Sequence, residues 1–134
     1  MNKNLYYVTY QTFPAQTANS LQTISNIRYL IKNGLKVSLY FPLREKQSTA
    51  NIKTLQNFYQ FTETFNSYGI KHPYPHGRIK FFPKLWFHLS HLLWSRNFVK
   101  KSFKNDVENY FLTRSDWLAY FLAKQGSKVI FECH

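Results

Sequence analysis

The stretch LYYVTYQTFPAQTANSLQTISNIRYLIKNGLKVSLYFP, from Leu5 to Pro42, decides the fold. Leu5-Tyr6-Tyr7-Val8-Thr9-Tyr10 is dense in β-branched and aromatic residues and predicts a buried strand. Gln11 to Thr17 follows as a loop, because Pro14 interrupts strand and helix alike. From Ala18 to Asn33 the apolar residues Leu21, Ile24, Ile27, Leu30 and Ile31 recur at three- and four-residue spacing, one face of an amphipathic helix. Gly34 supplies the left-handed residue that closes it. Leu35 to Phe41 is a second strand, stopped by Pro42. A strand, a helix and a strand in this order predict a parallel pair with a right-handed crossover.

The rest of the chain extends the same logic. Between Thr49 and Ser67, the residues Ile52, Leu55, Phe58, Tyr59 and Phe65 fit a second helix ending near Gly69. Residues 71–83 hold three Pro, two His and one Gly and read as loop, with Pro83 as a helix start. A third helix runs from Lys84 to about Phe103 and ends in the basic cluster Lys100, Lys101 and Lys104. Asn109 to Thr113 is a short strand. Ser115 then caps a helix through Lys124, with Asp116 in its first turn suiting the macrodipole. Gln125-Gly126-Ser127 turns the chain into a final strand from Lys128 to His134. The expected class is α/β, Rossmann-like, with a mainly parallel sheet flanked by helices in a single domain over residues 1–134.

Composition bounds the function. A chain of 134 residues with 44% hydrophobic and 19% aromatic residues can build one core, and leaves aromatic surface over for a partner or a membrane. The formal charge of +12 favours phosphates, nucleic acid or anionic lipid. The one cysteine, Cys133, cannot close an internal disulfide, which points to a reducing, cytoplasmic setting. Met1 to Val8 lacks the features of a signal peptide, and no uncharged apolar run is long enough to span a bilayer.

In a parallel sheet the carboxyl ends of the strands share one edge, where ligands bind. Here that edge collects the Gln11–Thr17 loop, the Pro42-Leu43-Arg44 loop, the Thr113-Arg114-Ser115 turn and His134. No Gly occurs before residue 34, so the dinucleotide fingerprint is absent. Gln16, Thr17 and Asn19 offer donors and a helix N-terminus to a sugar or phosphate, although Thr17 or Asn19 serves equally as a cap. Arg114 could bind an anion at a helix start. Glu132 and His134, two apart, share a strand face. His72, His76, His88 and His91 form no metal set, and no cofactor motif is readable. The helix from 84 to 104 fits an anionic membrane interface or burial against the sheet, with burial favoured.

With these segments placed, the chain resembles the N-terminal, acceptor-side domain of retaining glycosyltransferases of family 4, which have the GT-B architecture. The resemblance is carried by Tyr7 to Pro42 and by Tyr110 to His134, including Thr113-Arg114-Ser115 and Phe131-Glu132-Cys133-His134. It implies a sugar transferred from a nucleotide-sugar donor to a glycan or lipid acceptor, in a cleft between two Rossmann-like domains. It further implies that Phe13 to Asn19, including Pro14, Gln16, Thr17 and Asn19, line the acceptor side and approach the donor phosphates, although the Gly-Gly pair common in that loop is absent. His134 would contact the donor sugar near the reaction centre, and Arg114, Ser115 and Glu132 would stand on the cleft. Nothing corresponds to the donor-binding domain, so the expectation is an incomplete enzyme, inactive alone and peripheral at the inner face of the membrane. Two other classes stay in view: a nucleic-acid-binding module, which the scattered lysines disfavour, and a membrane-binding module without activity.

Overall fold

The computed structural model describes residues 4–74 and 81–133. Met1 to Lys3, the segment containing His76, and His134 lie outside the described residues. The element order is β1 (Asn4–Val8), α1 (Ala18–Lys32), β2 (Lys36–Leu43), α2 (Ile52–Tyr59) and β3 (Asn66–Lys71). Then come α3 (Pro83–Ser102), β4 (Tyr110–Thr113), α4 (Asp116–Lys124) and β5 (Lys128–Phe131). All pairings are parallel and the sheet order is β3-β2-β1-β4-β5. The fold is the expected Rossmann-like α/β arrangement.

Strand periodicity divides the interior into two cores. Leu5 and Tyr7 of β1 join Ile24 and Ile27 of α1, Leu39 of β2 and Leu55 of α2 on one face. Val8 joins Phe111 of β4 with Trp94 and Phe98 of α3 and Leu118 and Leu122 of α4 on the other, with Tyr6 packed alongside. Alternate residues of one strand therefore serve two layers. The chain leaves β1 toward β3 along one face and returns through α3 to β4 on the other. That reversal beside β1 creates a topological switch point at the carboxyl edge.

Helix ends follow local chemistry. Thr17 caps α1 by accepting from Ser20 N. Gly34, at φ +87°, closes α1 in a Schellman turn: Gly34 N donates to Ile31 O at 3.0 Å and Leu35 N to Leu30 O at 3.1 Å.

Four expectations need correction. The second helix stops at Tyr59, because Gln60 takes the left-handed conformation at φ 57° and Phe61 N returns to Gln56 O. Phe61 and Phe65, beyond that stop, enter the core stacked 5.8 Å apart. Residues 66–71 are then the edge strand β3 rather than helix and turn. Pro42 does not stop β2, which continues to Leu43. Tyr40 O accepts from Thr9 N, so Pro42, two residues on, directs its missing donor to that same side, past the last β1 pairing. Leu21, expected on the buried face of α1, is exposed, and Ser20 and Thr23 are buried instead.

The third helix resolves into two parts. Ser90, Trp94, Ser95, Phe98 and Val99 are buried against the sheet and α4. Phe81, Phe82 and Leu85, around the helix start, are 77%, 72% and 61% exposed. Burial therefore takes the carboxyl half, while the apolar surface left to solvent lies at the opposite end from Lys100 and Lys101.

Candidate functional site

The two strands flanking the switch point end in the same way. Thr9 Oγ1, after β1, accepts from Gln11 N at 3.1 Å, and Thr113 Oγ1, ending β4, accepts from Ser115 N at 3.0 Å. Each hydroxyl turns the chain off its strand, opening a crevice between two neighbours that were paired a residue earlier.

The crevice has a volume of about 300 Å³, enough for a group of hexose size. Thr9, Tyr10 and Gln11 line it from the first loop, Asn19 from α1, Arg44 from the end of β2, Phe87 and His91 from α3, and Arg114 and Ser115 from the β4–α4 turn. A shallow groove of about 370 Å³ between Gly34 and Asn66 lies at the opposite end of the strands and gathers no comparable chemistry.

Aromatic and basic groups are layered in the crevice wall. The His91 ring lies against Tyr10, with centroids 4.0 Å apart and planes 13° from parallel. The Arg44 guanidinium sits 4.5 Å from the Tyr10 ring centre and 5.7 Å from that of Phe87. The Tyr10 hydroxyl is 2.7 Å from His72 Nε2. Burial pushes the Tyr10 phenol up to about 12 against the opposing pull of Arg44. Burial also lowers Arg44 from its ordinary value, countered by Tyr10 and Glu45.

His91 Nε2 lies 2.5 Å from Ser115 Oγ, and that same oxygen accepts from Leu118 N at 3.2 Å as the α4 cap. Burial first, then the positive field of Arg44 and the neighbouring His88 and His72, holds His91 down at about 3. Among the described residues no carboxylate is found in the electrostatic surroundings of His91, so the contact lacks the acidic third member of a nucleophile–base triad. The pair is a structural contact in the crevice wall.

The structure brings Asn19, Arg114 and Ser115 into the crevice. Pro14, joined to Phe13 by a cis peptide bond, and Gln16 and Thr17 do not line it. Glu132 leaves β5 toward the α1 face, where Tyr7 Oη donates to it at 3.2 Å and Asn26 Nδ2 at 3.2 Å. Its carboxylate is occupied by the fold, away from the crevice. Tyr10, Arg44, Phe87 and His91 complete the site without any readable spacing in sequence, although the Arg44 loop was expected at this edge. Among the described residues no group of three His, Cys, Asp or Glu side chains converges to hold a metal. No family model, no curated protein and no solved structure matches the chain.

Proposed function

We propose that this chain is the acceptor-side domain of a retaining glycosyltransferase of family 4, and that the crevice between β1 and β4 receives the acceptor. The observation carrying this reading is the switch-point crevice in an all-parallel sheet, where the first loop, the end of β2 and the β4–α4 turn contribute polar groups to one cavity. Phe87 offers flat apolar surface to a sugar ring, while Gln11 and Asn19 offer hydrogen bonds to its hydroxyls.

In this reading the chain orients the acceptor, and a second α/β domain brings the nucleotide sugar to it, since transfer depends on holding the two together. The exposed Phe81, Phe82 and Leu85, with Lys84 among them, lie around the start of the helix that also supplies Phe87 to the crevice. They favour an anionic membrane surface as the place of work, with a lipid-linked acceptor entering from it. No helix among the described residues is long and apolar enough to cross a membrane.

The test joins genetics to transfer. DNA following codon 134 is sequenced, and the natural reading frame is expressed with any second Rossmann-like half it encodes. The preparation is then incubated with labelled nucleotide sugars and membrane lipid extract. Label moving into lipid or glycan, and lost on Asn19→Ala with Phe87→Ala, is the expected result. Unrelated sequence downstream, or no transfer by a preparation containing both halves, would overturn the reading.

A further inference from the structure

Among the described residues, the crevice lining holds two guanidinium groups and no carboxylate. Arg114 is 8% exposed, and its Nε has no hydrogen-bond partner. Its Nη1 donates to Gln22 Oε1 across 3.4 Å, a weak contact. Arg44 lies mostly within the protein, and its Nε also lacks a hydrogen-bond partner. Its other interactions are with the Tyr10 and Phe87 rings and the field of Glu45, which does not line the crevice. Cations taken out of water are ordinarily paired with an anion. The start of α4 adds positive partial charge at the same wall. Asp116, in that first turn, is exposed and outside the lining.

We infer that this crevice binds a phosphate group, with Arg114 and Arg44 as its ligands and the partly exposed Phe87 receiving the ring or chain that carries it. Two guanidiniums suit the charge and planar hydrogen bonding of a phosphate better than any neutral sugar hydroxyl. The phosphate can belong to a phosphorylated acceptor or to the diphosphate of a nucleotide sugar. Binding by this chain does not depend on sugar transfer, although under that reading it defines the substrate as anionic at this position.

The test is a nuclear magnetic resonance titration of the full chain, observing backbone amides, with inorganic phosphate, glucose 6-phosphate, uridine diphosphate and glucose. The phosphate-bearing probes should give saturable shifts at Thr9 to Gln11 and at Arg114 to Asp116 that weaken as salt is raised, and glucose should not. Arg44→Gln and Arg114→Gln should each weaken binding roughly tenfold or more. Tighter binding of glucose 6-phosphate supports an acceptor phosphate, and tighter binding of uridine diphosphate a donor; either upholds the site. Shifts that do not saturate, that spread over the surface lysines, or that persist unchanged in Arg44→Gln with a native spectrum would overturn it, even if Arg114→Gln fails to fold. Phosphate binding by this chain, with no transfer by a preparation containing both halves, would sink the enzymatic reading and leave this one standing.

Discussion

Ser115 Oγ lies 2.5 Å from His91 Nε2 while capping α4, so one hydroxyl ties the start of α4 to the middle of α3. Ser115→Ala removes both contacts. The expected loss is about 1–2 kcal/mol, the range for an N-cap serine. Urea unfolding measures it, with an unchanged m-value indicating that the folded state keeps its compactness.

His91 gives the protein an acid sensitivity of defined range. Folded, it titrates at about 3; unfolded, near 6.5. The unfolded chain therefore binds more protons across that interval. The contribution is fully present above 6.5 and is lost as pH falls toward 3, at no more than about 1.4 kcal/mol per pH unit. Glu63, which the Arg28 hydrogen bond holds at about 2, adds its own loss only below 4.5. Urea midpoints at pH 7, 6 and 5 should fall steadily, and His91→Gln should flatten that fall.

Trp94 joins α3 to the end of β3. It is almost fully buried, and its indole N–H donates to Lys71 O at 3.0 Å. Trp94→Phe keeps most of the apolar bulk but leaves that carbonyl without this donor, for a loss of about 1–2 kcal/mol. Trp94→Ala adds a cavity, for about 3–5 kcal/mol. Unfolding followed by circular dichroism should rank the two variants in that order.

Glu132 serves the fold. Glu132→Ala removes the acceptor shared by Tyr7 and Asn26 and should lower stability by about 1 kcal/mol. The phosphate titration at the crevice should be unaltered. A variant of native stability with lost ligand binding would place Glu132 in the site instead.

Membrane contact through α3 should depend on its amino end. Replacing Phe81, Phe82 and Leu85 together by Ser should abolish flotation with phosphatidylglycerol vesicles. Lys100→Gln with Lys101→Gln should leave flotation largely intact and make it less sensitive to salt. Flotation retained by the triple variant would count against the contact.

The main elements were legible because their signals are local. Gly34 stopped a periodic helix, Ser115 announced a cap, and aromatic runs marked β1 and β4. β3 was not legible, because an edge strand paired on one side needs no strong apolar alternation, and Asn66-Ser67-Tyr68-Gly69-Ile70-Lys71 has little. The end of α2 was hidden for another reason: its left-handed residue is Gln60, which carries no glycine signature, and Phe65 prolonged the apparent period. The crevice was half legible. Arg114, Ser115 and Asn19 stand beside recognisable turns and caps, whereas Tyr10, Arg44 and His91 meet only through packing of three separate elements.

The placement of β1 sets an order of assembly during synthesis. Leu5 pairs with Val37 on one side and with Tyr110 on the other, so the central strand emerges from the ribosome first and receives its second neighbour late. At roughly 5–20 residues per second, that edge stays bare for on the order of 5–20 s. During this interval β1, α1, β2, α2 and β3 can already gather around one core, while Val8 waits for the layer that will cover it. The nascent chain thus presents a half-finished apolar sheet to the cell, and a chaperone that recognises it would bind the face later occupied by α3 and α4.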